Sequence, residues 1–261
     1  GLLSAAMVFT LAGCGSSKDH LATIQDKGEI TIGLEGDWQP FSYHDKDDKL
    51  VGVDVEVAKN IAKKLGVKAN IVEGKWDGLL TGLSTGTYDL VINGVDIKKE
   101  REKKFDFSTP YAYDHTVLVV RNDNTTITSF DDLKGKTVGC TNGQAAQTII
   151  EDMAKEKGFT VKLYEDSAVG MNDLKLGRID AYANTTTNVN AFTHNNTDAK
   201  FRFFDEQLLA NNVAYFLQKT DDGDKLTKEL DDVIQDMLDD GTVAKITEKW
   251  MYADMTKLIQ K

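Results

Sequence analysis

Residues 88–111, YDLVINGVDIKKEREKKFDFSTPY, decide how this chain folds. The run opens on a short apolar strand, Asp89-Leu90-Val91-Ile92, breaks at Asn93-Gly94, and passes into a charged helical turn over Lys98–Lys104. A buried strand that ends in Gly, then a turn and a helix, is how an open α/β sheet builds a ligand crevice at its carboxyl edge. Gly94 lets backbone approach a ligand closely, and the first N–H groups of the helix are open to an anion. Arg101, one turn in, carries a planar fork of donors suited to a carboxylate. It is also one of seven consecutive charges from Lys98 to Lys104, so spacing alone leaves a solvated helix face equally open.

Working outward, Glu29–Gly33 reads as a first strand and Asp45–Lys49 as a hairpin tip. Helix Val55–Leu65 follows, with Asp54 as its N-cap and Gly66 as its stop. Lys68–Val72 gives the next strand, and Trp76-Asp77-Gly78 starts a second helix before Leu90–Ile92. Strand, helix, strand, helix, strand predicts a parallel sheet. Past Thr116–Arg121 the same order returns at reduced size. A short helix over Ser129–Leu133 precedes strand Lys136–Cys140 and a helix that ends near Lys157. Strand Thr160–Tyr164, helix Asn172–Leu176 and strand Arg178–Ala183 complete it. The repeat predicts a second α/β lobe, 115–210, inserted into a first made of 27–114 and 211–261. Strand Val213–Leu217 returns to the first lobe, and helices Leu226–Leu238 and Val243–Met251 pack on its sheet, with Gly241 between them. An inserted lobe with two crossings makes a cleft that closes by hinge bending.

The net charge of −11 argues against nucleic acid or an anionic membrane face as a partner. Hydrophobic residues make up 41% of the chain, which is globular composition. With two Cys there is no disulfide framework, and Cys140 sits in a predicted strand as a small core residue. Four scattered His make no metal spacing, and no HExxH, CxxC or phosphate loop is present, so no cofactor is expected. Residues 1–14, GLLSAAMVFTLAGC, are too short to span a bilayer and read as the second half of a secretory signal whose basic start is trimmed away.

The segment GVDIKKEREKKFDFSTPY resembles the signature of bacterial solute-binding proteins, family 3, which deliver amino acids to ABC importers. The similarity runs from about Lys27 to the C-terminus, where Asp240-Gly241-Thr242 and Lys249-Trp250 match the family's tail. Leu11-Ala12-Gly13-Cys14 resembles a lipobox. It implies a signal over 1–13, lipid on Cys14, and a tether over 14–26 that holds the protein outside the cell membrane. The resemblance further implies a two-lobed, type II periplasmic-binding-protein-like fold, a polar amino-acid or cystine-like ligand, a permease partner, a monomer and no enzyme activity. It implies that Arg101 grips the ligand carboxylate, that Trp38 and Trp76 sandwich the side chain, and that Glu35, Gly94, Gln144 and Ala145 line the site. Three positions depart from the family. Asp96 replaces a Ser or Thr, Ala145 a Thr, and Thr185 the Asp that pairs the ligand ammonium. Asp96 would repel a carboxylate, or bind an amine in a rotated pose, or cap the helical turn after it. Glu35, Asp96 and the tryptophans keep a cationic amine open as the ligand. A dehydratase on this scaffold, with Glu35 or Asp96 as general acid, is the enzyme alternative.

Overall fold

A computed structural model describes residues 19–94, 97–220 and 225–257; Cys14 and Asp96 lie outside the described residues. The chain enters on helix α1 (His20–Lys27), capped by the Asp19 carboxylate on Ala22 N (2.8 Å) and closed by left-handed Gly28. This corrects the tether, which reached residue 26. Ile24 of α1 is buried in the first lobe's core, and Lys225 reaches Asp19 at 3.1 Å. A helix this short is marginal in water, so tertiary packing decides its existence.

Strand β1 (Glu29–Leu34) follows, then a small meander of β2 (Asp37–Trp38), β3 (Ser42–His44) and β4 (Leu50–Val51). Next come α2 (Val53–Leu65), β5 (Lys68–Glu73), α3 (Trp76–Thr85), β6 (Leu90–Val91), the single turn α4 (Lys99–Glu102) and β7 (Phe105–Phe107). The chain leaves through β8 (Ala112–Tyr113). The second lobe comprises β9 (Thr116–Arg121), a 3-10 turn at Phe130–Leu133, β10 (Thr137–Thr141), α5 (Ala145–Lys157), β11 (Thr160–Tyr164), α6 (Ser167–Lys175), β12 (Ala181–Thr185), α7 (Thr186–Asn195) and β13 (Phe201–Phe203). Strand β14 (Asn212–Val213) leads back to β15 (Phe216–Gln218), α8 (Lys225–Asp239) and α9 (Thr242–Met251).

The protein is α/β and two-lobed. One sheet runs β5-β1-β6-β15-β7 and the other β11-β10-β12-β9-β13. In each, the fourth strand is antiparallel to its neighbours, and it is the first strand formed after a crossing: β15 in one lobe, β9 in the other. The lobes share a local device as well. Asp89 N donates to Thr31 O (2.9 Å) while its carboxylate accepts from Thr31 N (2.7 Å), and Asp180 does the same with Thr137 at 2.9 and 2.8 Å. Between the lobes, β8 and β14 pair antiparallel, Tyr113 opposite Asn212 and Ala112 opposite Val213. The sheet of the first lobe is covered by α2, α8 and α9, with Leu226, Leu230, Val233, Ile234 and Met237 buried. Cys140 is buried in the second core, and burial pushes its thiol up to about 11.

Several expectations change. Helix α6 starts at Ser167 rather than Asn172, because the Asp166 carboxylate accepts from Ala168 N and Val169 N (2.7 and 3.3 Å). Helix α7 and strand β13 were not foreseen, since Thr- and Asn-rich TTNVNAFTHN has weak helix propensity. Asp54 is not a cap. Gly52 holds that place at φ 125°, where a Cβ would lie 2.4 Å from Phe41 O, and the helix begins at Val53. Asp54 is instead fully buried and accepts from the Tyr111 hydroxyl, so α2 is tied to the segment entering the first crossing.

Burial raises the Asp54 pKa from 3.8 to about 7, against the opposing hydrogen bonds from Tyr111 and Gly94 N–H. A folded-state pKa above the unfolded one means the native protein holds this proton longer. Its contribution is therefore present below about pH 4 and lost as pH rises through about 7. Asp54→Asn should become more stable relative to the parent across that window, by on the order of 4 kcal/mol in total. Urea melts at pH 4, 5.5 and 7.5 check it; a constant difference at all three would show that Asp54 does not titrate there.

Candidate functional site

A cleft of 610 Å³ lies between the lobes. Its walls are Ile97–Glu100 from the first lobe, Thr116 and Asn211 beside the crossings, and Thr141, Gln144, Ala145, Asn184 and Thr185 from the second. Strands β10 and β12 end at Thr141 and Thr185, so two parallel strands deliver their carboxyl ends, and the helices after them, to one place. Helix α5 opens at Ala145 with Gln144 in the cap position, and no side chain caps it there. Its positive dipole end therefore meets the cleft. Thr185 caps α7, its hydroxyl accepting from Asn188 N at 3.2 Å. Ile97–Glu100, Thr116, Thr141, Asn184 and Asn211 were missed as lining residues. Thr141 ends β10 and Asn184 is the last residue but one of β12, a signal that the sequence did carry.

On the first lobe, Phe216 of β15 is fully buried at the centre of an aromatic group. Trp76 meets it edge-on at 5.6 Å and Phe107 at 4.5 Å. The Arg101 guanidinium carbon lies 5.6 Å from the Trp76 ring centroid and 5.7 Å from that of Phe216. Stacking on two ring faces orients a guanidinium and leaves its edge directed away from the rings. Phe216 reads as core in the strand and is core, and it also underlies Arg101. Arg101 follows Ile97–Glu100, which line the cleft, by a single residue.

Glu35, at the end of β1, supports this arrangement. One carboxylate oxygen accepts from Trp76 N (3.1 Å), the first residue of α3, a helix with no side-chain cap at its own N-cap position. The other oxygen accepts from the Asn93 amide, while Glu35 N donates to Asn93 Oδ1 (3.3 Å). Asn93 is buried two residues past the end of β6. Glu35 therefore fixes where Trp76 stands. Trp38 is 55% exposed on β2. Its neighbour Asp37 lies 3.9 Å from Lys75, which brings β2 beside the start of α3.

Gly94 sits at φ 62°, and a Cβ there would fall 2.4 Å from the Phe41 ring. The close approach that requires glycine is made to Phe41. At the crossings, His115 is buried and its Nδ1 accepts from Asn211 N at 2.9 Å, which places no proton on that nitrogen. Asp114 N donates to Asn211 O at 3.0 Å. The Asp114 carboxylate accepts from Thr187 N (2.9 Å), and burial raises its pKa.

Two α/β lobes, paired crossings and a cleft that gathers helix N-termini define a two-lobed binding protein. The chain belongs to the bacterial extracellular solute-binding proteins, family 3, whose model matches residues 30–253. The L-cystine-binding protein TcyJ of Escherichia coli is 35% identical over 98% of this chain and 96% of its own. TcyA of Bacillus subtilis, also named as L-cystine-binding, is 33% identical over 98% and 97%. Among solved structures, the unliganded open L-cystine solute receptor of Neisseria gonorrhoeae is 31% identical over 92% of this chain and 99% of that one, with a TM-score of 0.79. An ancestral arginine-binding protein bound to arginine is 34% identical over 85% and 98%, with a TM-score of 0.53. An ancestral cyclohexadienyl dehydratase is 27% identical over 90% and 98%, with a TM-score of 0.72.

Gly94→Ala should destabilise the protein by about 1–3 kcal/mol, because left-handed backbone and the Phe41 ring both oppose a Cβ. Denaturant melts check this; a change under about 0.5 kcal/mol, the range of ordinary surface substitutions, would mean the loop rearranges freely.

Proposed function

We propose that this protein is the lipid-anchored, substrate-binding component of an ABC importer. It captures a small polar amino acid or a close relative between its lobes and hands it to the permease. The observation that carries this reading is the cleft itself, with the uncapped start of α5 in one wall and Arg101, held on Trp76 and Phe216, next to the other. Arg101 takes an anionic group of the ligand, and Trp76 and Trp38 cover its flat or apolar part. Gly94 shapes the loop that leads to Arg101, and Gln144, Ala145 and Thr185 close over the ligand from the second lobe. The lobes divide at 114/115 and 210/211, and the protein acts as a monomer. The better overlay on an unliganded open relative than on an arginine-bound one supports an open resting form.

A cationic ligand would draw on Glu35, whose two oxygens each accept one hydrogen bond, from Trp76 N and Asn93, and keep further acceptor sites. L-cystine is first among the amino acids to try, given what two relatives are named for. Those relatives are named as binding proteins, which supports binding rather than turnover. Asp96 decides the pose. As a ligand contact it holds the amine that Thr185 leaves without a charged partner, and as a helix cap it does not.

Native mass spectrometry of protein from rich medium, followed by calorimetry with the co-purified compound and L-cystine, tests the reading. Arg101→Ala should weaken binding by about a hundredfold or more, since breaking a desolvated charge pair costs on the order of 2–5 kcal/mol. Unchanged affinity would reduce Arg101 to a surface charge. For the anchor, Cys14→Ser in the full precursor should move the protein out of the membrane fraction. Unchanged fractionation would remove the lipid from the proposal and leave the binding argument standing.

A further inference from the structure

Helix α7 connects two places on the second lobe. Thr185, its cap, lines the cleft, while Asn190, Thr193 and His194 line a second groove of 520 Å³ that shares no lining residue with the cleft. Just past the cap the helix is bonded to the crossing: Thr186 N donates to His115 O and Thr187 N to the Asp114 carboxylate, both at 2.9 Å. Farther along, Asn190 Nδ2 lies 3.8 Å from the Met255 sulfur, and Met255 O accepts from Tyr113 N of β8 at 3.2 Å. The far end, roughly 13 Å from the cap at 1.5 Å per residue, carries His194. Its ring stacks on Tyr252 with centroids 3.9 Å apart and planes 10° from parallel.

Tyr252 comes from the other lobe, directly after α9, and it is an unusual residue for its place. Helices α1, α2, α3 and α5 each end on a left-handed glycine: Gly28, Gly66, Gly86 and Gly158. Helix α9 ends in the same conformation on Tyr252, at φ 61°. A tyrosine is disfavoured there and is 45% exposed, so neither backbone preference nor core packing accounts for it. Its ring contact with His194 does.

We infer that the Tyr252–His194 stack is a positioning pair outside the cleft, a latch that holds the lobes apart until ligand binds. The inference rests on the proposed capture of a ligand by lobe closure. The first crossing is bonded to α7 at Thr186 and Thr187, between Thr185 at the cleft and His194 at the far end. Rotation that brings the cleft walls together therefore draws His194 away from Tyr252, and the ligand must offset the lost stack. The latch lowers apparent affinity and keeps the empty protein open.

The test uses the full chain in three forms. Tyr252→Gly suits the left-handed cap and deletes the ring, His194→Ala removes the partner without touching the cap, and Tyr252→Phe keeps the stack. Spin labels on the two lobes report their separation without ligand, and calorimetry with L-cystine and a panel of amino acids reports affinity. Tyr252→Gly and His194→Ala should each shorten the ligand-free separation and tighten binding by about two- to tenfold, the size of one aromatic pair. Tyr252→Phe should match the parent in both. A parental separation in both ring-deleting variants, or weaker binding in both, overturns the latch. If the parent binds none of the amino acids, the proposed function fails, while the ligand-free separations still decide the latch.

Discussion

Everything in this molecule depends on one short antiparallel pairing, β8 with β14, where the chain passes between lobes in both directions. Tyr113 faces Asn212 there, and the residues just beyond are sewn together by Asp114 N to Asn211 O and by Asn211 N to the His115 ring. Each lobe has its own sheet and its own buried clusters. The joint is therefore the place where few contacts resist rotation, and the cleft opens beside it. The reversed fourth strand in each sheet has the same origin. A chain that enters a lobe from the joint runs down the sheet against strands that run up towards the cleft.

The first-lobe side of the site is assembled by groups that need not touch a ligand at all. Glu35 fixes the start of α3 through Trp76 N, Asn93 holds Glu35, and buried Phe216 sets the floor on which Trp76 and Arg101 lie. A long, flexible cation loses much freedom when it is ordered, and stacking Arg101 on two rings orders it beforehand. Asp54 extends the scaffold downward. It links α2 to Tyr111, two residues before Tyr113 of the joint, and it does so with a carboxyl that burial keeps protonated far above its usual range.

Most of the architecture was legible in the sequence because strand and helix periods, glycine stops and the repeated order of elements are local signals. Gly66 ends α2 as its position predicts, Thr116–Arg121 forms a strand with those bounds, and the apolar stripe of α8 is the buried one. The motif around Arg101 pointed to the family through residues that the family model also spans. What failed was short or polar. Helix α1 exists because Ile24 finds a core, and α7 because Thr185 caps it and the first crossing receives Thr186 and Thr187.

The sequence by itself determined the two α/β repeats and their family, and it placed a basic residue one position past the Ile97–Glu100 wall of the cleft, since each is written in a contiguous stretch of chain. Only the tertiary structure decided what each polar group does. Asp54 looked like a cap and is a buried acid; Glu35, read as a ligand group, is also bonded to Trp76 N; Phe216 is core, as it reads, and also underlies Arg101. The physical reason is common to all three. A side chain's role depends on what desolvates it and what donates to it, and here those partners, Tyr111, Asn93 and Trp76, come from segments 41 to 140 residues away.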